Sequence, residues 1–334
     1  MKQDDFIKKY QEQWQEFSNW LELKSLSARQ RKKSTLNGVE TFDAVTKLMP
    51  HRYRQICHHL SLSQSRNYSP KLVAQLNQLV LQGHQYLYKS NYRSSQFLRF
   101  LFIDFPVLLR QESKLFWISS FLFYVPLIAI VFLINNNPEL IYSILSPEQV
   151  GNIEYMYNPN AEHIGRGREV DGDFEMFGFY IFNNISISFQ VFATGILFCI
   201  GSLFFLIFNG LYIGAVAGHL IYIDYNVTFV SFVAGHSALE LTAIVISGVA
   251  GMRLGIALIK PGRYTRVVAL KNAGTLSLKL MYGVFLMLLA AAFVEAFWSS
   301  KSMIEPQIKY SVGVVMWLLL IAYFFFMGRG YQDS

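Results

Sequence analysis

Residues 177–195 read FGFYIFNNISISFQVFATG and residues 235–255 read GHSALELTAIVISGVAGMRLG. Between these two strings the chain stays apolar, yet Asn183, Asn184, Gln190, Thr194, Asn209, His236, Glu240 and Arg253 interrupt it at helical spacing. A bilayer tolerates such groups where they face protein or water, so the pattern predicts the interior of a helical membrane bundle and makes that interior the expected working surface.

The whole chain agrees with this reading. It has 334 residues, of which 53% are hydrophobic, 16% aromatic and 15% charged, a balance too apolar for one ordinary soluble domain. The apolar residues are unevenly spread: before Lys114 the sequence is that of a water-soluble protein, and after Phe116 that of successive spans. The opening MKQDDFIKKYQEQW is charged and amphipathic, so no cleaved signal is expected and the first span is read as an anchor. Cys57 and Cys199, one in each part, form neither a disulfide framework nor a metal cluster.

Stretches long enough to cross about 30 Å of hydrocarbon fall at 116–134, 180–208, 211–230, 237–259, 278–298 and 311–327. The expected fold is therefore all-α, with six transmembrane helices. Residues 1–114 hold 18 Lys or Arg against 9 Asp or Glu, and 260–279 carry Lys260, Arg263, Arg266, Lys271 and Lys279 with no acid. Basic residues beside spans stay cytoplasmic, so both segments and both termini are expected inside. The connection 135–178 has eight acidic residues against Arg166 and Arg168 and is expected outside. The implied location is a bacterial inner membrane. The net charge of +7 is better explained by anionic lipid and topology than by nucleic acid, since no aromatic-interleaved basic groove is present.

Three regions follow: a cytoplasmic helical domain at 1–91, an amphipathic interfacial helix at 92–114, bent near Pro106, and a transmembrane domain at 115–334. In the first, Phe6, Tyr10, Trp14, Phe17 and Leu21 repeat with a helical period, as do Leu72, Leu76, Leu79, Val80 and His84. Breakers at Asn37-Gly38, Pro50 and Pro70 predict about four helices. Adjacent His58 and His59 point about 100° apart on a helix and make a poor metal pair.

Within the spans, Gly210, Gly214 and Gly218 recur every four residues, and Gly251 with Gly255 repeats the pattern. Such spacing lets helix backbones approach closely, either within the chain or across a homodimer seam. Asn183, Ser186, Gln190 and Thr194 share one helical face, which could line a hydrated passage, hold a lipid headgroup or simply bond neighbouring helices. His236 and Glu240, four apart, stack on another face and serve either a structural hydrogen bond or proton and solute handling. Two groups fall short of the three ligands of a catalytic zinc, and HExxH is absent, so neither metal nor cofactor is expected. His219 and Asp224 lie on the preceding span, within conceivable reach. Arg253 is expected to snorkel to the cytoplasmic surface, and Glu295 to be solvated at the outer interface. Arg166 and Arg168 are candidates for gripping an anionic group or a partner's carboxylate. No nucleophile elbow, phosphate-binding loop or paired-aspartate motif stands out.

Several strings together resemble the stage II sporulation protein M family: Phe182-Asn183-Asn184-Ile185 with Phe189 and Gly195; Phe208-Asn209-Gly210 with Gly214; Gly235-His236-Ser237 with Glu240-Leu241; Ser247-Gly248-Val249-Ala250-Gly251 with Gly255; and Pro261-Gly262. Trp14, Arg52-Tyr53-Arg54, Leu76-Asn77, Tyr86-Leu87-Tyr88 and Phe105-Pro106 resemble the cytoplasmic extension of its longer members. The resemblance implies a polytopic helical membrane protein. For the sporulation member it also implies an anchor for peptidoglycan-degrading partners. The expectation is a non-enzymatic scaffold in cell-envelope remodelling or maintenance, contacting lipid and protein partners and expected to be a homodimer. The competing expectation is a carrier for a small solute, proton or lipid along the polar face; an intramembrane hydrolase stands third.

Overall fold

The computed structural model describes residues 1–25, 42–87, 94–160, 172–301 and 303–330, and these form helices joined by turns, with no strand among them. The chain divides into two compact units, Met1–Arg93 and Ser94–Ser334.

In the first unit, α1 (Gln3–Ser25), α2 (Phe42–Ser65) and α3 (Pro70–Leu87) enclose a core of Phe6, Trp14, Phe17, Trp20, Tyr53, Ile56, Leu72, Leu76 and Leu79. These residues recur every three or four positions, so each helix turns one apolar stripe inward. Pro50 does not divide the segment as expected: it lies inside α2. A proline removes one helical hydrogen bond, and here the helix continues past it. Asn37-Gly38, the other predicted break, lies outside the described residues.

Among the described residues, the second unit contains six helices long and apolar enough to cross a membrane: Ser113–Asn136, Asp173–Ile196, Ile200–Tyr222, Ser237–Ile259, Arg266–Ser299 and Pro306–Phe326, called spans one to six here. One boundary differs from the reading of the sequence. The second and third spans part at Phe198 and Cys199, where φ is +52° and +71°, ten residues before the break expected at Phe208. Non-glycine residues rarely adopt this left-handed backbone, and neither Phe nor Cys announces it. The third span ends at Tyr222, and what was read as its far end is a separate short helix, Asn226–Ala234.

The fourth span is central, with 72% of its apolar window buried against 17–50% for the other five. Its run Ser247-Gly248-Val249-Ala250-Gly251 is small enough for neighbouring backbones to approach. A Cβ on Gly251 would strike the Phe192 and Val191 carbonyls, and one on Gly195 would strike the Gly251 backbone. Small hydroxyls bond carbonyls of these helices: Ser119 to Val245 (2.6 Å), Ser202 to Val191 (2.6 Å) and Ser277 to Ala250 (2.9 Å). Gly210, Gly214 and Gly218 are filled by the first span, against Phe123, Leu127, Ile130 and Val131. Both glycine stripes thus serve contacts within the chain.

Ahead of the first span, Ser94–Arg99, a π-turn at Phe100–Asp104 and Phe105–Gln111 run in succession. The π-turn precedes Pro106, which donates no N–H. Phe97, Leu98 and Phe102 are exposed, whereas Phe105 packs on Gly283 of the fifth span. Arg110 donates to the carbonyls of Phe324 and Met327 (2.7 Å each), satisfying acceptors that the end of the sixth span leaves open.

Candidate functional site

The N-terminus of the fourth span, the C-terminus of the fifth and the N-terminus of the sixth meet at the end of the bundle that carries the connection 137–172, and there the polar groups gather. His236 precedes the fourth span and Glu240 lies in its first turn, so both side chains rise on one face, with His236 Nε2 3.9 Å from Glu240 Oε2. Asn184 of the second span donates its amide to Glu240 Oε1, and Asn183 donates to Asn184 Oδ1 at 3.1 Å. The fifth span ends in a π-turn, Glu295–Ser299, a geometry often found at working sites. Glu295 and Ser299, four positions apart, share nearly one face of this turn. The Glu240 and Glu295 carboxyls lie close together, each with an oxygen within 4.8 Å of the other and of His236, and Ser299 Oγ lies 3.0 Å from His236 Nδ1. Lys309, 1% exposed in the first turn of the sixth span, donates to the Ser299 carbonyl at 2.7 Å.

This is a dense polar knot inside an apolar bundle. His236 is 3% and Glu295 8% exposed, and His236, Glu240 and Glu295 present ligand-type atoms all within 4.8 Å of one another. Burying such groups costs several kcal/mol unless partners compensate; here Asn184 partners Glu240 and Ser299 partners His236. Glycine makes the neighbourhood possible, since a side chain at Gly235 would enter the ring of Trp298.

The structure brings together Asn183, Asn184, His236 and Glu240 from the expected set, and separates the remainder. Ser186 and Gln190 are exposed on the outside of the bundle. Thr194 Oγ1 bonds its own helix at the Gln190 carbonyl (2.7 Å), and Asn209 bonds its own helix at the Phe205 carbonyl (2.7 Å). The shared face of Asn183, Ser186, Gln190 and Thr194 therefore does not line one interior. The reason is geometric: a helix face spanning twelve residues passes from the crowded end of the bundle over the exposed positions Ser186 and Gln190.

Three residues were missed. Glu295 was read as interfacial but is buried, and it supplies the third acidic or imidazole group that spacing around His236 did not reveal, because it arrives 59 positions later in the chain. Ser299 and Lys309 carried no signal beyond their place at span ends. His219, considered as a neighbour of His236, instead pairs with Glu154 at 2.7 Å, and Asp224 holds a left-handed turn at φ +63°. Arg253 pairs with Glu112 at 3.4 Å. Arg166 and Arg168 lie outside the described residues.

A family model described as Stage II sporulation protein M matches residues 115–300, covering nearly all of the first five spans and every knot residue named here except Lys309. A second, described as Domain of unknown function (DUF8413), matches residues 4–89, the first unit. Neither a curated protein nor a solved structure matches the chain.

Proposed function

Because the chain belongs to the stage II sporulation protein M family, we propose that it works as a membrane scaffold of the cell envelope, its six-span unit the anchor and its first unit the part that recruits partners. One observation carries this reading. The polar groups that a carrier would string along a path are instead divided between a knot at one end and isolated helix-bonded or outward-facing positions. Between these positions, Gly195, Gly251 and Gly255 bring backbones into contact, and Gly248 admits the side chains of Ser119 and Leu206. A body packed in this way resists the hinge or rocking motion that alternating access needs. It suits an anchor. On the same reading the bundle sits in the inner membrane, with residues 260–279 cytoplasmic and 137–172 outside.

The second reading, proton or solute handling, draws its support from the buried carboxyls, which membrane proteins keep mainly for function. A paired assay separates the two. For a scaffold, Glu240→Gln leaves co-purification of peptidoglycan-modifying enzymes intact, deletion of residues 1–90 abolishes it, and purified protein gives liposomes no flux. Flux that Glu240→Gln removes would replace the scaffold reading with the carrier.

A further inference from the structure

We propose that His236, Glu240 and Glu295 together bind one divalent transition-metal ion, with Ser299 and Asn184 as the groups that orient the ligands. This goes beyond the scaffold reading and stands or falls independently of it.

Ser299 Oγ engages His236 Nδ1 at 3.0 Å, which leaves Nε2 as the nitrogen facing Glu240. Asn184 engages Glu240 Oε1, which leaves Oε2 facing His236. These two atoms are 3.9 Å apart, too far for a hydrogen bond with each other. Metal-binding histidines characteristically hold their second nitrogen in such a fixed contact, and ligating carboxylates are likewise held from behind. Glu295 enters from another helix, so the three ligand groups converge from two spans, all within 4.8 Å. Metal–ligand bonds of about 2.0–2.2 Å at tetrahedral angles need ligand atoms about 3.3 Å apart. Side-chain rotations that draw each ligand in by under an ångström suffice.

The chemistry of the set selects the ion. One neutral imidazole and two carboxylates carry a charge of −2, which a divalent cation cancels where solvent does little. An imidazole ligand suits zinc, iron or nickel, and carboxylates also accept manganese. Calcium, which takes six to eight oxygens, finds too few here. The nearness of the Glu240 and Glu295 carboxyls fits the same account, since two carboxyls so placed repel unless a proton or a cation lies between them.

The test uses full-length, tag-free protein in lipid nanodiscs, stripped with a chelator and titrated with Zn2+ and, separately, Mn2+. One Zn2+ per chain is expected, with a rise in melting temperature. Glu295→Gln and Glu240→Gln should each weaken Zn2+ binding at least about tenfold, and Ser299→Ala about 10-fold through loss of ring orientation. Gln190→Leu, outside the knot, should bind as the parent does. Should Glu295→Gln fail to fold, the wild-type stoichiometry and Ser299→Ala still decide. Absence of a stoichiometric ion from the wild type, or a folded Glu295→Gln that binds as tightly as the parent, would overturn the site.

Discussion

The side-chain amide of Asn184, on the second span, donates to the Glu240 carboxylate on the fourth, across 56 positions of sequence. Losing one partner of a buried charged group leaves the other uncompensated, which costs about 1–3 kcal/mol. Asn184→Leu should therefore lower thermal stability by that order. Gln190→Leu, on the same helix but exposed, should stay within about 0.5 kcal/mol. Thermal unfolding of both variants in one detergent checks the contrast.

Glycine at the centre of the bundle makes a second distinction. A Cβ at Gly195 would overlap the Gly251 backbone, whereas one at Gly274, within the fifth span, meets nothing within 4 Å. Overpacking against backbone costs about 1–3 kcal/mol or more, and replacing a free helical glycine by alanine gains about 0.5–1 kcal/mol. Gly195→Ala should lower the melting temperature and Gly274→Ala raise it, as differential scanning fluorimetry would show.

The first unit carries a pH dependence of its own. His59 is buried beneath Phe6 and Tyr10, its Nδ1 accepting from Trp14 Nε1 at 3.1 Å. Burial first, and then the charge of His58, hold its pKa below the usual 6.5. The folded unit therefore keeps His59 neutral while the unfolded chain takes up a proton, so the unfolded state binds more protons in this window. Stability is full above about pH 6.5 and is lost as pH falls below it toward the lowered folded value. Hydrogen exchange across α1 should report faster opening at about pH 5.5 than at about pH 7.5, after correction for intrinsic exchange. His59→Leu should flatten the difference.

Orientation gives a fourth expectation. The basic run Lys260–Lys279 should be inside and the connection 137–172 outside, by the preference of Lys and Arg for the cytoplasmic side. Reporter fusions after Arg263 and after Asn158 should read cytoplasmic and extracytoplasmic respectively. The opposite pair of signals would invert the bundle.

Much of the fold was legible because length and hydropathy are properties of each segment alone. Six apolar stretches predicted six apolar helices, and the central fourth span was found to its terminal residues, Ser237 and Ile259. The hairpin at Phe198 and Cys199 was not legible, since two apolar residues in a left-handed backbone leave no trace in a hydropathy profile. The site was half legible. His236 and Glu240 stood out because they are four apart on one helix, and Asn183 and Asn184 because an amide pair in an apolar run is costly. Glu295, Ser299 and Lys309 join them only through packing between helices, for which one sequence holds no local signal. Gln190 misled for the same reason: helical period defines a face, and only the neighbouring spans decide whether that face points inward.

Some polar groups of the spans close on one buried knot, the others bond their own helix or face outward, and together they do not line a shared passage. Spin labels placed singly at positions 186, 190 and 299 of full-length protein in nanodiscs, on a background lacking Cys57 and Cys199, test it directly through accessibility to oxygen and to a water-soluble nickel chelate. The account predicts that labels at 186 and 190 meet oxygen and not nickel, and that a label at 299 meets neither. A label at 190 relaxed strongly by nickel would place water along that face and contradict it.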